Sequence, residues 1–332
     1  MAHGPKRDIF AEWFTALEEI GGSVAVQLGR CTATMTEPEW YFLTHQQFDG
    51  LGGLAHVLRT VKHVNIDLPT TTEKRPSWPK LVLALLRSIF RVRTRAARFR
   101  RPIDESWKPP PGEHPMRPSA SAWTLFTRKE TAELRLAARR RGVSLNVWLF
   151  WALKEMLRPE LAPGGNMEWV FPISMRGAIP YEKDTDNQAF SIELGFRPDA
   201  TPEAIESSIR REMRRGMQWL GPWLIGAMRF LTPAALKRTI QQSSRVYKTG
   251  SYTNLGARAP AEEERSGAEP TGEEEWWMAF GVVLKTQPVG MVCLTWRGCM
   301  SVTLRIHPAL SQDRQLAEEW LATWRRIACA AG

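Results

Sequence analysis

Apolar residues return at helical spacing at the start of the chain. In 8–20, DIFAEWFTALEEI, Ile9, Trp13, Ala16, Leu17 and Ile20 share one face, and Gly21-Gly22 stops the helix. The pattern then changes to strand-like runs rich in Val, Thr, Trp, Tyr and Phe, at 23–35 and 39–45, with Thr36-Glu37-Pro38 as the turn between them. A hairpin is predicted. After Gln46-Gln47-Phe48-Asp49-Gly50, helical spacing resumes with Leu51, Leu54, Val57, Leu58 and Val61 on one face. His45 is therefore placed where a strand gives way to a helix.

Prolines 69, 76, 79, 102, 109–111, 115 and 118 break residues 64–120 into pieces, as in a long crossing linker that holds one helix over 79–101. From 122 the order is regular. A strand (AWTLFT) leads to Thr127-Arg128-Lys129-Glu130, which has the form of a capping box, and a helix runs to Arg140, ended by Gly142. A second helix over 144–157 is apolar nearly all round and so largely buried. Strands are predicted at 167–177, 189–196 and 251–256, with helices over 202–219 and 222–242 between the last two. Residues 260–275, with seven glutamates, read as a solvated loop. Two further sheet segments and an amphipathic helix over 311–329 close the chain. We divide it into an N-terminal half, 1–118, and a C-terminal half, 119–332.

The 332 residues are 43% hydrophobic and 24% charged, enough to bury a sizeable core, which excludes disordered and polytopic membrane classes. No run approaches the ~18 apolar residues that a bilayer crossing needs. Cys31, Cys293, Cys299 and Cys329 stand at spacings that suggest neither a zinc ribbon nor a disulfide framework. The charged N-terminus does not read as a signal peptide, and a cytoplasmic protein is expected. The 45 Lys and Arg exceed the 35 Asp and Glu, and the local excess peaks at Arg87, Arg91, Arg93, Arg95, Arg98, Arg100 and Arg101. That cluster has a bland reading as a solvated helix face. Its functional readings are holding coenzyme A phosphates through Arg87 and Arg91, docking an acidic acyl carrier protein, or lying on an anionic membrane surface. Nucleic acid is not expected, because no aromatic platform or groove-reading motif accompanies the charge.

The string His45-x-x-x-Asp49-Gly50 at a strand end is followed by PISMRG (172–177), Asn187-Gln188 and SYTNLG (251–256). In this order the motifs resemble the superfamily of thioester-dependent acyltransferases that includes chloramphenicol acetyltransferase, peptide-synthetase condensation domains and wax ester synthases. The family motif is HHxxxDG, and here Thr44 stands at the first His. The resemblance implies an α/β two-layer sandwich of the chloramphenicol acetyltransferase type, with two related halves and a channel between them, the first half reduced. It implies acyl transfer from a coenzyme A or carrier-protein thioester to a hydroxyl or amine, with His45 as general base, and the acyl thioester as co-substrate rather than a tightly held cofactor. Asp49 would pair with Arg176 to hold the loop's shape, and Gly50 would permit close backbone approach. Thr253 and Asn254 would be oxyanion donors, with Ser251 beside them on the donor side. A neutral imidazole suits proton removal from an alcohol or amine. Metal binding by His45 with Asp49, His56 or His63 would need further ligands, and none is expected. A reduced first half leaves a sheet edge to pair, so self-association is a further expectation. Two rivals remain open: a catalytically silent docking module and a basic peripheral lipid-binding protein.

Overall fold

The computed structural model describes residues 9–19, 25–90, 96–108, 120–243, 245–267 and 272–330. The elements run α1 (Ile9–Glu19), β1 (Ala25–Thr32), β2 (Glu39–Thr44), α2 (Gly50–Thr60), α3 (Trp78–Phe90), β3 (Ala120–Phe126), α4 (Arg128–Arg140), α5 (Leu145–Leu157), β4 (Met167–Ser174) and β5 (Ala189–Phe196). There follow α6 (Pro202–Arg214), α7 (Leu220–Met228), α8 (Pro233–Ser243), β6 (Gly250–Arg258), α9 (Ala261–Ser266), β7 (Glu275–Phe280), β8 (Val289–Trp296), β9 (Cys299–Ile306) and α10 (Arg314–Ala330).

Two sheets organise these elements. The larger has the order β3-β9-β8-β6-β4-β5, with β6 parallel to both β4 and β8 and the other neighbours antiparallel. The smaller, β2-β1-β7, is antiparallel. Its third strand comes from residues 275–280, far along the chain. One face of the large sheet is covered by α4, α5 and α10, around a core that includes Trp148, Trp169, Tyr252 and Trp324. A second core lies on the opposite face, where Leu54 and Leu58 of α2 and Leu28 of β1 meet Leu255, Trp277 and Leu294. Ser301 and Thr303 of β9 donate their hydroxyls to the carbonyls of Trp277 and Ala279, which fastens β7 onto the large sheet.

Local signals account for many element starts. The Thr127 hydroxyl accepts from the Glu130 N–H, and the Glu130 carboxylate accepts from the Thr127 N–H, so the predicted capping box is formed. Ser144 caps α5 in the same sense.

Several expectations need correction. The helix predicted over 79–101 stops within the described residues at Phe90, and residues 96–100 are extended instead. There Ala96 bridges Asn166 and Phe99 bridges Leu161, and the Ala97 and Phe99 side chains enter the core while Arg98 and Arg100 point outward. An alternation of small and aromatic side chains with arginine suits a half-buried strand better than a helix face. Arg91, Arg93 and Arg95 lie outside the described residues. The helix predicted over 202–219 breaks at Gly216, which has φ of 78°. The one predicted over 222–242 divides at Thr232-Pro233, where Thr232 accepts from the Ala235 N–H and starts a new helix. The glutamate-rich segment contains α9, and its Glu263 pairs with Arg297 at 2.9 Å.

Candidate active site

β2 ends at Thr44, and the chain turns through Gln46, Gln47 and Phe48 into α2. His45 stands at the start of that turn. Asp49 is the helix N-cap: its backbone is extended (φ −89°, ψ 179°) and its Oδ1 accepts from the Gly52 N–H at 2.8 Å. A carboxylate at this position also complements the positive end of the helix.

Asp49 is 3% exposed, and its carboxylate is fully engaged. Arg176 Nη2 lies 2.9 Å from each of its oxygens, and the Gln188 N–H donates to Oδ2 at 2.9 Å. Arg176, 2% exposed, spreads its other donors over the Asp184 carbonyl (2.8 Å), the Asp186 carbonyl (3.0 Å) and the Ser174 hydroxyl (3.2 Å). The pair is a satisfied buried network, the condition under which buried charges are tolerated.

The loop at 183–188 is joined to the histidine turn at several further points. Phe48 bridges Asp186, and the Asn187 N–H donates to the Gln47 carbonyl at 2.8 Å. The Asn187 side-chain amide donates from Nδ2 to the His45 carbonyl at 2.6 Å and lies 3.0 Å from His45 Nδ1. The ring of His45 is half-buried, with Phe14 of α1 stacked on it at a centroid distance of 4.8 Å. Burial holds the imidazole below the usual histidine range. Its own backbone, the Asp49 charge and the Phe48 backbone each pull in the opposite direction. A ring so held stays neutral to lower pH than an ordinary histidine.

The glycine that permits close approach is Gly52 rather than Gly50. A Cβ on Gly52 would fall 2.0 Å from the Thr185 carbonyl oxygen and 2.9 Å from Arg176 Nη2. At Gly50 it would meet only the Leu255 side chain, at 3.1 Å. The sequence motif marks the first glycine, and the crossing of loop 183–188 over α2 selects the second.

The remaining candidates lie on β6. Asn254 Oδ1 accepts from the Gly256 N–H at 2.8 Å, and the buried Ser251 donates to the Val282 carbonyl at 3.3 Å. Thr253 is half-buried on the same strand. Among the described residues no hydrogen bond joins these three to His45. Arg87 is exposed in the last turn of α3, and Arg91 lies outside the described residues. No cluster of His, Cys, Asp and Glu suited to a metal occurs among the described residues. No helix among them is long and apolar enough to cross a membrane. Phe14 and Gly52 were missed in the sequence. Asn187 stood in a noted motif without a role, and no local pattern could have joined it to a ring 142 residues earlier.

No protein-family profile matches the chain, and no curated protein matches it. Solved structures do. The epimerization domain from the third module of tyrocidine synthetase B aligns with a TM-score of 0.50 at 12% identity, covering 88% of this chain and 68% of that one. The EpoB cyclization-docking bidomain from Sorangium cellulosum aligns with a TM-score of 0.50 at 11% identity, covering 88% of this chain and 61% of that one. The chain thus shares the mixed α/β fold, with two sheets and flanking helices, of this epimerization domain and this cyclization-docking bidomain.

Proposed function

We propose that this protein transfers an acyl group from a thioester to a hydroxyl or amine, with His45 as the general base. The observation that carries this reading is the clamp on the histidine turn. Asp49, Arg176 and Asn187 hold the backbone that presents one imidazole, an arrangement useful where a base must be placed within hydrogen-bond reach of a proton.

In the proposed reaction, His45 Nε2 takes the proton of the acceptor as its oxygen or nitrogen attacks the thioester carbonyl. The carbon–sulfur bond then breaks, the acyl group stays on the acceptor, and the imidazolium returns the proton to the departing thiolate. Asn187 Nδ2 is a donor 3.0 Å from Nδ1, so the neutral ring as placed accepts there and carries its hydrogen on Nε2. For Nε2 to act as the base, the hydrogen must move to Nδ1, where the backbone acceptors of His45 and Phe48 would take it and the Asn187 contact would be given up. Thr253 and Asn254 are the proposed oxyanion donors. With Oδ1 of Asn254 occupied by Gly256, its contribution would come from Nδ2. The donor is a coenzyme A or carrier-protein thioester in this reading.

A second reading, a binding module without chemistry, is favoured by the stacking of Phe14 on the very ring that must act. One experiment separates the two. Acyl-coenzyme A donors of several chain lengths are incubated with the protein and amine or alcohol acceptors, and free thiol is followed. Acyl transfer predicts release that His45→Ala lowers about 10²- to 10⁴-fold. Release unaffected by the substitution would remove His45 as the base, and no release with any donor would favour the silent module.

A further inference from the structure

α3 and α7 carry apolar side chains on both faces. Leu81 and Ala84 of α3 turn inward, whereas Trp78, Val82, Leu83 and Leu86 are 58%, 36%, 46% and 42% exposed. Residues 78, 82 and 86 follow one another at four-residue spacing, so they form a single outward stripe. α7 lies alongside, joined through Trp78 and Trp223 with ring centroids 5.9 Å apart; it adds Leu224 at 36% exposure, and Phe230 in the turn just past its end is 78% exposed. Water-facing helices do not gain by displaying six large apolar side chains. Exposed apolar side chains gathered on neighbouring helices mark a surface that is covered in use.

The charge around the patch identifies the cover. Lys80 and Arg87 are exposed on α3, and the Arg229 guanidinium lies 4.8 Å from the Phe230 ring centroid, so cation and aromatic share one tip. No Asp or Glu occurs between Glu73 and Asp104, or between Glu212 and Glu262, the stretches that hold these two helices. The apolar groups are exposed, and the basic groups stand on the same segments. That combination fits the headgroup region of an anionic bilayer, with rings and leucines in the acyl boundary and cations at the phosphates. We infer that the α3 and α7 face docks on an anionic lipid surface.

The position of the patch links it to the candidate site without depending on that site's chemistry. Inside the patch, Leu81 packs with Met175, Phe190 and Trp219 beside Arg176, and Ile225 and Met228 of α7 pack against α1, which carries Phe14. The docking helices thus back both the Arg176 turn and the cover over His45.

The test is sedimentation of the full chain with vesicles of phosphatidylcholine alone and of phosphatidylcholine containing phosphatidylglycerol. Binding is expected to the anionic vesicles, weaker to the neutral ones, and reduced when salt is raised to about 0.5 M. The paired substitution Leu86→Ser with Phe230→Ser should weaken binding about tenfold or more, and both positions are exposed enough for the fold to persist, as a thermal melt would verify. Arg87→Gln with Arg229→Gln should flatten the salt dependence. His45→Ala should bind as the wild type does, so loss of the acyl-transfer reading would leave docking intact. Absence of binding to anionic vesicles, or equal binding by the serine variant, would overturn the inference. So would a wild type that ignores vesicles yet binds an acidic acyl carrier protein through the same residues.

Discussion

Arg176 Nη2 sits 2.9 Å from both carboxylate oxygens of Asp49, across 127 residues of sequence. This contact ties the start of α2 to the end of β4. It fixes the turn that presents His45, because Asp49 is also the helix cap and the acceptor of the Gln188 N–H.

Removing either partner leaves a buried charge uncompensated, a change that costs about 3–5 kcal/mol. Arg176→Met should lower unfolding free energy by that order in urea titration. Asp49→Ala should cost at least as much, because the cap and the Gln188 contact go with it. A loss below about 1 kcal/mol in either variant would show that the pair is dispensable for the fold.

Gly52 and Gly50 should respond differently to alanine. At Gly52 the new methyl collides with the Thr185 backbone, which cannot move without disturbing Arg176. At Gly50 it meets the tip of a leucine. Gly52→Ala should destabilise by roughly 1–3 kcal/mol or more and Gly50→Ala by less, as measured by denaturant midpoints.

The depressed pKa of His45 makes a prediction about acid stability. The unfolded chain takes up a proton near the ordinary value of about 6.5, whereas the folded protein holds the ring neutral to lower pH. Its contribution to stability is therefore present above about 6.5 and is lost as pH falls through the window below it. Between about pH 7.5 and 5.5 the wild type should lose more stability than His45→Gln, compared by thermal or urea midpoints.

Asn187 should set the working pH of the proposed base, His45. Its amide, facing Nδ1 and the His45 carbonyl, adds no negative charge, whereas Asn187→Asp would place a carboxylate beside the ring and favour the imidazolium. The acidic limb of kcat/KM should then move to higher pH, and Asn187→Ala should not reproduce that shift. A purely structural role would lower the plateau in both variants and leave the limb in place.

Much of the fold was legible in the chain because it depends on neighbours in sequence. The hairpin of β1 and β2, the Thr127 and Glu130 capping box and the apolar α5 rest on turn chemistry, caps and periodicity, which act over a few residues. The pairing of Asp49 with Arg176 was anticipated from a family resemblance, which no pattern of spacing alone would have supplied. Where two periodicities competed, local reading failed. Residues 96–100 look like an arginine helix, yet Phe99 and Ala97 are drawn into the main core as extended chain. The break at Thr232-Pro233 had a local signal that an overall run of apolar residues concealed.

Sequence by itself determined the alternation of elements and placed a histidine at a strand end. Tertiary structure decided what surrounds that histidine. Only folding could bring β7 beside β1, lay Phe14 over the ring, set Asn187 against it and move the steric demand from Gly50 to Gly52. It also left the apolar stripe of α3 facing outward, although its composition suited a core. The physical reason is the same in each case: periodicity and capping are short-range, whereas burial and cross-chain hydrogen bonds depend on which distant segments the sheets bring together.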